Sequence, residues 1–223
     1  MRRHIAILAS LCLALSITAC GKTDEFDKRI SELAKTSSSK YISIENMDEL
    51  IGKAKPNLIV RGKGVSRGES TIVDYSGEHT DAFLASDATE EEKQQCAAAF
   101  LSTPYEVDVS ETFLGDEVES FTINMPYGIY DEYWRRDGDY PVLKVGAEYL
   151  LFMRVDVMFG QKVYYLAFAP ASAVEVDRDD IIVNGGIAEQ IFGDSGNSYE
   201  SLTLGLQTYI AENSPDTSMD SFG

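Results

Sequence analysis

Val145-Gly146-Ala147-Glu148-Tyr149-Leu150-Leu151-Phe152-Met153-Arg154-Val155-Asp156 is the stretch on which the fold reading turns. Every residue from Tyr149 to Met153 is apolar. The run is too short to cross a bilayer as a helix, and Gly146 punctuates its approach. A short continuous apolar run of this kind marks a strand covered on both faces. A turn of buried helix fits the periodicity about as well, but the Tyr, Phe and Val favour the strand. Such a strand needs other strands beside it, and the flanking sequence supplies them.

Upstream, Tyr105-Glu-Val-Asp-Val-Ser110 alternates, with Tyr105, Val107 and Val109 on one face. Leu114-Gly115-Asp116 turns, and Phe121, Ile123 and Met125 alternate with Thr122 and Asn124, which makes a hairpin. Earlier still, a strand starts at Leu58 and runs through Gly62 and Gly64 to Val65. Glycines inside a strand mark bulges or sharp bends, as at barrel corners. Thr71–Tyr75 reads as its partner. Downstream lie Val163–Phe168, Ala173–Val176 and Ile181–Val183.

Three helical patterns flank these strands. Ser43–Lys55 places Ile44, Met47, Leu50 and Ile51 on one face, with Ser43 as N-cap and Pro56 as the stop. An insertion, about 76–102, carries Thr89 and Glu92 as a capping box, with Cys96, Ala99 and Phe100 expected inward. Tyr199–Glu212 closes the pattern, with Leu202, Leu206, Tyr209 and Ile210 on one face. The fold expected is mainly β with flanking helices: a small antiparallel barrel of 5–7 strands, of the oligonucleotide/oligosaccharide-binding (OB) type, which hides its edges by closure. It forms one domain over 43–212, followed by a disordered tail at 213–223.

The N-terminus follows different rules. Arg2, Arg3 and His4 precede an apolar run from Ile5 to Leu15, as in a secretory signal peptide. The segment ends Ile17-Thr18-Ala19-Cys20, which resembles the lipobox of bacterial lipoproteins. That resemblance implies cleavage after residue 19 and acylation of Cys20, hence a protein held by lipid on the extracytoplasmic side of a membrane. More than one acyl chain gives stable anchoring. Residues 20–42 are polar and serine-rich and read as a tether, with Phe26, Ile30 and Leu33 spaced three to four apart as in a helical turn or two over Asp27–Lys35.

Composition narrows the function further. The chain of 223 residues has 19 Lys+Arg against 37 Asp+Glu, a formal charge of −18. Removing a leader that carries Arg2 and Arg3 makes it more acidic still. Nucleic acid is thereby excluded as a partner, since phosphate binding needs clustered cations. Beyond Cys12 and Cys20 the body holds Cys96 alone, so it forms no internal disulfide.

No catalytic signature is present: no H-E-x-x-H, paired C-x-x-C or G-x-S-x-G. Ser37-Ser-Ser-Lys40 matches S-x-x-K only in a serine run. The body's one histidine, His79, reads as solvated, and Glu90–Glu92 and Asp177–Asp180 read as acidic turns without calcium-loop spacing. No cofactor or metal ligand set is assigned.

The most unusual stretch is Tyr127–Tyr140, where four tyrosines (127, 130, 133 and 140) and the only tryptophan crowd a segment read as a loop. Tyr130, Tyr133, Trp134, Arg135 and Arg136 are the candidate ligand-binding residues, because aromatic faces beside charges suit recognition. The competing reading has these rings capping one end of the barrel.

The order of motifs from 58 to 152 resembles a loose group of uncharacterised bacterial lipoproteins: the Leu58 strand, Tyr105-Glu-Val-Asp-Val, Phe113-Leu-Gly-Asp116, Phe121–Met125 and Pro141-x-Leu-x-Val-Gly-x-Glu-Tyr-Leu-Leu-Phe152. More distantly it is similar to the netrin/TIMP-type module, an OB-like barrel. Members of the TIMP family chelate a protease zinc through a free N-terminal cysteine. Cys20 is the one counterpart here, and acylation would block it, so the resemblance implies the fold and not the inhibition. The function expected is non-catalytic binding of an envelope protein, peptide or glycan. The alternative is an envelope hydrolase or accessory factor using acidic pairs such as Asp131 or Glu132 with Asp137 or Asp139.

Overall fold

The computed structural model describes residues 25–36, 44–74, 78–85, 87–138, 140–178, 180–182, 191 and 198–213. Cys20, the Ser37–Lys40 run, Asp139 and the tail beyond residue 213 lie outside them. The elements in order are α1 (Glu25–Glu32), α2 (Met47–Ala54), β1 (Leu58–Arg67), β2 (Thr71–Ile72), α3 (Glu78–Leu84), α4 (Glu90–Phe100), β3 (Leu101–Leu114), β4 (Ser120–Met125), β5 (Tyr127–Tyr130), β6 (Tyr133–Arg136), β7 (Glu148–Met158), β8 (Gln161–Leu166), β9 (Ala173–Asp177), β10 (Asp180–Ile182) and α5 (Tyr199–Asn213).

The Tyr149–Met153 run lies in β7, and all five residues are buried. Their side chains alternate between two cores. Tyr149, Leu151 and Met153 point into a barrel with Leu58, Val60, Tyr105, Val107, Phe121, Ile123 and Leu166. Leu150 and Phe152 point out, under a second layer built by Leu50 of α2 and Leu202 and Leu206 of α5. Both edges of β7 are occupied as well. Residues 148–153 pair with β1 along one edge; on the other, 148–151 pair with β9 and 153–158 with β8. Where the partner changes, the Phe152 amide donates to Ser172 O at 2.8 Å, and the Ala167 amide donates to Phe152 O at 2.9 Å.

Five strands close in the order β1-β3-β4-β8-β7-β1, an OB-like barrel. Four of the five pairings are antiparallel; the closing one, β4 to β8, is parallel and consists of the single bridge Ile123↔Tyr164. The glycines of β1 do what their position in a strand suggests. The β1–β3 register shifts around Gly62 and Gly64, and a Cβ on Gly62 would lie 2.6 Å from Val107. These bends let one strand pair with β3 and β7 on opposite edges.

Four local expectations are corrected. The strand expected over Thr71–Tyr75 as partner of β1 is the short β2, which pairs instead with β3 (Thr71↔Ser102, Ile72↔Leu101). The cap of α2 is Asn46, whose side chain accepts from the Glu49 amide, and the helix starts at Met47 rather than Ser43. In α4 the buried residue is Ala97; Cys96 and Phe100 are half-buried and Ala99 is exposed, although the Thr89–Glu92 capping box is present. The fourth correction concerns residues 25–36, which the polar composition placed in a tether. Their α1 helix packs on the barrel, with Ile30 fully buried in its core.

Because β7 serves two cores, truncation on either face is expected to be costly. Leu151→Ala should lose about 2–5 kcal/mol and Phe152→Ala about 3–5 kcal/mol. Thermal melts of the two variants check this, and a wild-type melt from either one would show that one face of β7 is not buried.

Candidate functional site

The segment read as an aromatic loop is a β-hairpin. β5 and β6 pair from Tyr127↔Arg136 to Tyr130↔Tyr133 around the two-residue turn Asp131-Glu132. Asp131 sits at φ 52°, a left-handed position that aspartate tolerates in such turns. Strand alternation gives the hairpin two faces. Tyr127, Ile129, Trp134 and Arg136 share one; Gly128, Tyr130, Tyr133 and Arg135 share the other.

The first face closes one end of the barrel. Tyr127 is fully buried, with its ring edge-on to Tyr105 at 6.2 Å. Its hydroxyl accepts from the Leu143 amide at 2.9 Å, and burial pushes the phenol well above its ordinary range. Ile129 packs on the same core. Trp134 is half-buried, and its carbonyl accepts from Gln94 Nε2 of α4 at 3.2 Å. Arg136 reaches α1, where its guanidinium donates to the carbonyls of Ser31 and Leu33, the latter at 3.2 Å. Those are orphan acceptors at a helix C-terminus, and a cation there is favourable. The backbones join alongside, with the Thr36 amide donating to Arg136 O at 2.9 Å.

The other face supports the helical insertion. Tyr133 is 9% exposed in a small core with Ile72, Phe83, Ala97 and Leu101. Its hydroxyl donates to Glu90 on the first turn of α4, and that bond, with burial adding to it, pushes the phenol up to about 12. Arg135 donates to Leu101 O at 3.3 Å; burial lowers its pKa, with the Asp137 charge opposing. A buried hydroxyl pair fixes the hairpin to β3: Ser70 Oγ and Thr103 Oγ1 lie 2.9 Å apart, Thr103 donates to Tyr127 O at 2.6 Å, and the Ile129 amide donates to Ser70 at 3.1 Å. A Cβ on Gly128 would lie 2.7 Å from Ser70 Oγ, so only glycine leaves room for this pair. Tyr130 is the most open of the five candidates, at 39% exposed, with one edge against Phe83 at 5.6 Å.

All five candidate residues therefore have structural partners, Tyr130 through one ring edge alone, and sequence spacing brought them together without revealing that. Of the carboxylates proposed as an acidic pair, the three that are described, Asp131, Glu132 and Asp137, are not gathered. Asp131 and Glu132 occupy the exposed hairpin tip, whereas Asp137 is buried beyond its far end. Five residues of extended chain separate Glu132 from Asp137, roughly 16 Å, against about 5–9.5 Å for paired glycosidase carboxylates. His79 stacks on Phe100 at 4.2 Å, and its carbonyl accepts from the Cys96 thiol at 3.4 Å. Burial, with Asp74 nearby, pushes that thiol up, away from reactivity. Glu92 returns to the Thr89 amide as a cap. Among the described residues no three His, Cys, Asp or Glu side chains gather as a metal site.

A side groove of about 200 Å³ lies along the single-bridge seam, with Tyr140, Tyr164, Tyr165 and Arg135 in its wall. A cleft of about 240 Å³ opens at the other end of the barrel between the β3–β4 turn and the β7–β8 hairpin. Sequence reading missed this cleft because its apolar residues read as ordinary strand interior. No protein-family model matches this chain, and no curated protein matches it significantly.

The role of Arg136 is open to a direct check. Arg136→Ala should cost about 1–2 kcal/mol and speed proteolysis within residues 25–36 while the barrel stays folded. Unchanged protection of that segment would show that Arg136 does not hold α1.

Proposed function

We propose that this chain is an extracytoplasmic lipoprotein, acylated on Cys20 and held at a membrane surface, and that it works there as a non-catalytic binding module for an envelope protein or peptide. The observation carrying the anchor is Ile17-Thr18-Ala19-Cys20 behind a basic start and a short apolar run. No helix among the described residues is long and apolar enough to cross a membrane, so the reading places attachment in the lipid. The binding half of the proposal rests on the barrel. Its interior is filled by side chains such as Tyr105, Phe121, Leu151 and Met153, so recognition falls to the surface and the turns, where small β modules carry it. The acidity of the chain favours a basic partner over nucleic acid or anionic lipid.

The anchor is tested by intact mass. Membrane-associated protein should carry acyl mass on Cys20, and Cys20→Ala should leave an unprocessed or released product. A cleaved product with an unmodified Cys20 would overturn the lipoprotein reading.

A further inference from the structure

The two ends of the barrel are built differently. One end is closed by Tyr127 of the hairpin and Ile30 of α1, which Asp27 ties to Arg67 at the end of β1, 3.1 Å away. The opposite end is left unfinished, and the cause is local to Asn57. The Asn57 amide donates to Met153 O at 3.0 Å. Its side chain then takes both backbone groups of Val155: Nδ2 donates to the carbonyl at 2.9 Å, and Oδ1 accepts from the amide at 2.7 Å. An asparagine side chain thus stands in for the next strand residue, and β1 pairing stops. β7 does not stop. Its inward series Tyr149, Leu151, Met153 continues as Val155 and Val157 beyond the last β1 partner, Leu58.

The result is a piece of barrel-interior surface with no barrel around it. Val118, Val155, Val157, Tyr164 and Leu58 line the 240 Å³ cleft, enough for one large apolar side chain. The hairpin overhangs it, with Val157 71%, Met158 38% and Phe159 78% exposed. The turn itself is Phe159-Gly160, at φ 50° and 81°. Two left-handed positions in a hairpin turn favour Asn-Gly, and a bulky aromatic at the first is uncommon. Stability alone does not account for an exposed phenylalanine there.

The β3–β4 turn at the cleft's rim carries the exposed Asp116, Glu117 and Glu119 against Lys162, which lies 3.9 Å from Asp116. On a chain of charge −18 this rim attracts cations. β1 has ten residues between this end and the α1 end, a span of about 33 Å. The five residue steps from Cys20 to Glu25 span at most about 18 Å. If the anchor is where the preceding section places it, the Phe159 tip points away from that membrane.

We infer that the open end of the barrel, the Val118–Val155–Val157–Tyr164 cleft beneath the Phe159 tip, is the docking surface for a basic protein segment that seats one apolar side chain in it. The direction of the tip rests on the anchored-lipoprotein reading; the cleft does not.

The test uses the full chain in buffer, with and without added phosphatidylcholine nanodiscs, and three fluorescein-labelled peptides: Lys-Lys-Phe-Lys-Lys, Lys-Lys-Ser-Lys-Lys and Glu-Glu-Phe-Glu-Glu. Anisotropy should show saturable binding of the first, at least about tenfold tighter than of the other two. Val157→Ser and Phe159→Ser alter exposed residues, so the circular dichroism should be unchanged while affinity falls by about tenfold or more. Equal binding of the serine peptide, no binding of any peptide, or wild-type affinity in both variants would overturn the inference. So would quenching of a Phe159→Trp variant by brominated lipid in the discs, which would make the occupant a bilayer. Dimerisation abolished by Phe159→Ser would make it a second copy and overturn it too. Peptide binding does not depend on acylation, so this result and the Cys20 mass fail independently.

Discussion

A stretch of strand with no free face and no free edge, Tyr149–Met153 of β7, organises this molecule. β7 gives Tyr149, Leu151 and Met153 to the barrel and Leu150 and Phe152 to the helices, while β1, β8 and β9 take its backbone groups. Apolar side chains buried in this way contribute about 1.5–3 kcal/mol each. The covering elements then have little choice of place. α2 and α5 must lie over Phe152, and the barrel must close on Leu151. The Arg61–Glu148 ion pair at 2.6 Å lies at the start of β7, where its edge pairs with β1.

The ends of the barrel follow from how its strands terminate. At the Arg67 end, polar groups meet specific partners: Arg136 on the α1 carbonyls, Asp27 on Arg67, and the Ser70–Thr103 hydroxyls on the hairpin backbone. Paired buried groups of this kind hold parts in place, because losing one partner leaves the other a costly orphan. At the Asn57 end one side chain stops one strand while its neighbour continues, and apolar surface is left over. The asymmetry leaves the barrel with one closed end and one open end.

Much of this was legible in the sequence. The alternation of Tyr105–Val109 and Phe121–Met125, the unbroken apolar run of β7 and the capping box of α4 each report a local rule, and each element formed where its rule placed it. The docking of α1 was harder to see. Phe26, Ile30 and Leu33 have helical spacing, but about two turns among polar residues carry too little periodicity to outweigh the serine run after them. The hairpin was hidden because Tyr130-Asp-Glu-Tyr133 lacks the Asn-Gly or Asp-Gly turn signal and its strands are only four residues long. The partners of Tyr133 and Arg136 lie 43 and 100 or more residues away, a distance no local rule covers. Asn57 reads as a loop residue after Pro56; its role as a substitute strand residue depends on a backbone 98 positions further on.

Native-state hydrogen exchange tests the central claim most directly. If β7 is covered on both faces and both edges, the amides of Leu150, Leu151, Phe152 and Met153 should be the slowest in the chain, exchanging only through global unfolding. Those of Met158–Gly160 should exchange through local opening. Exchange of the 150–153 amides at the rate of the β5–β6 hairpin, well below the global protection, would contradict the account.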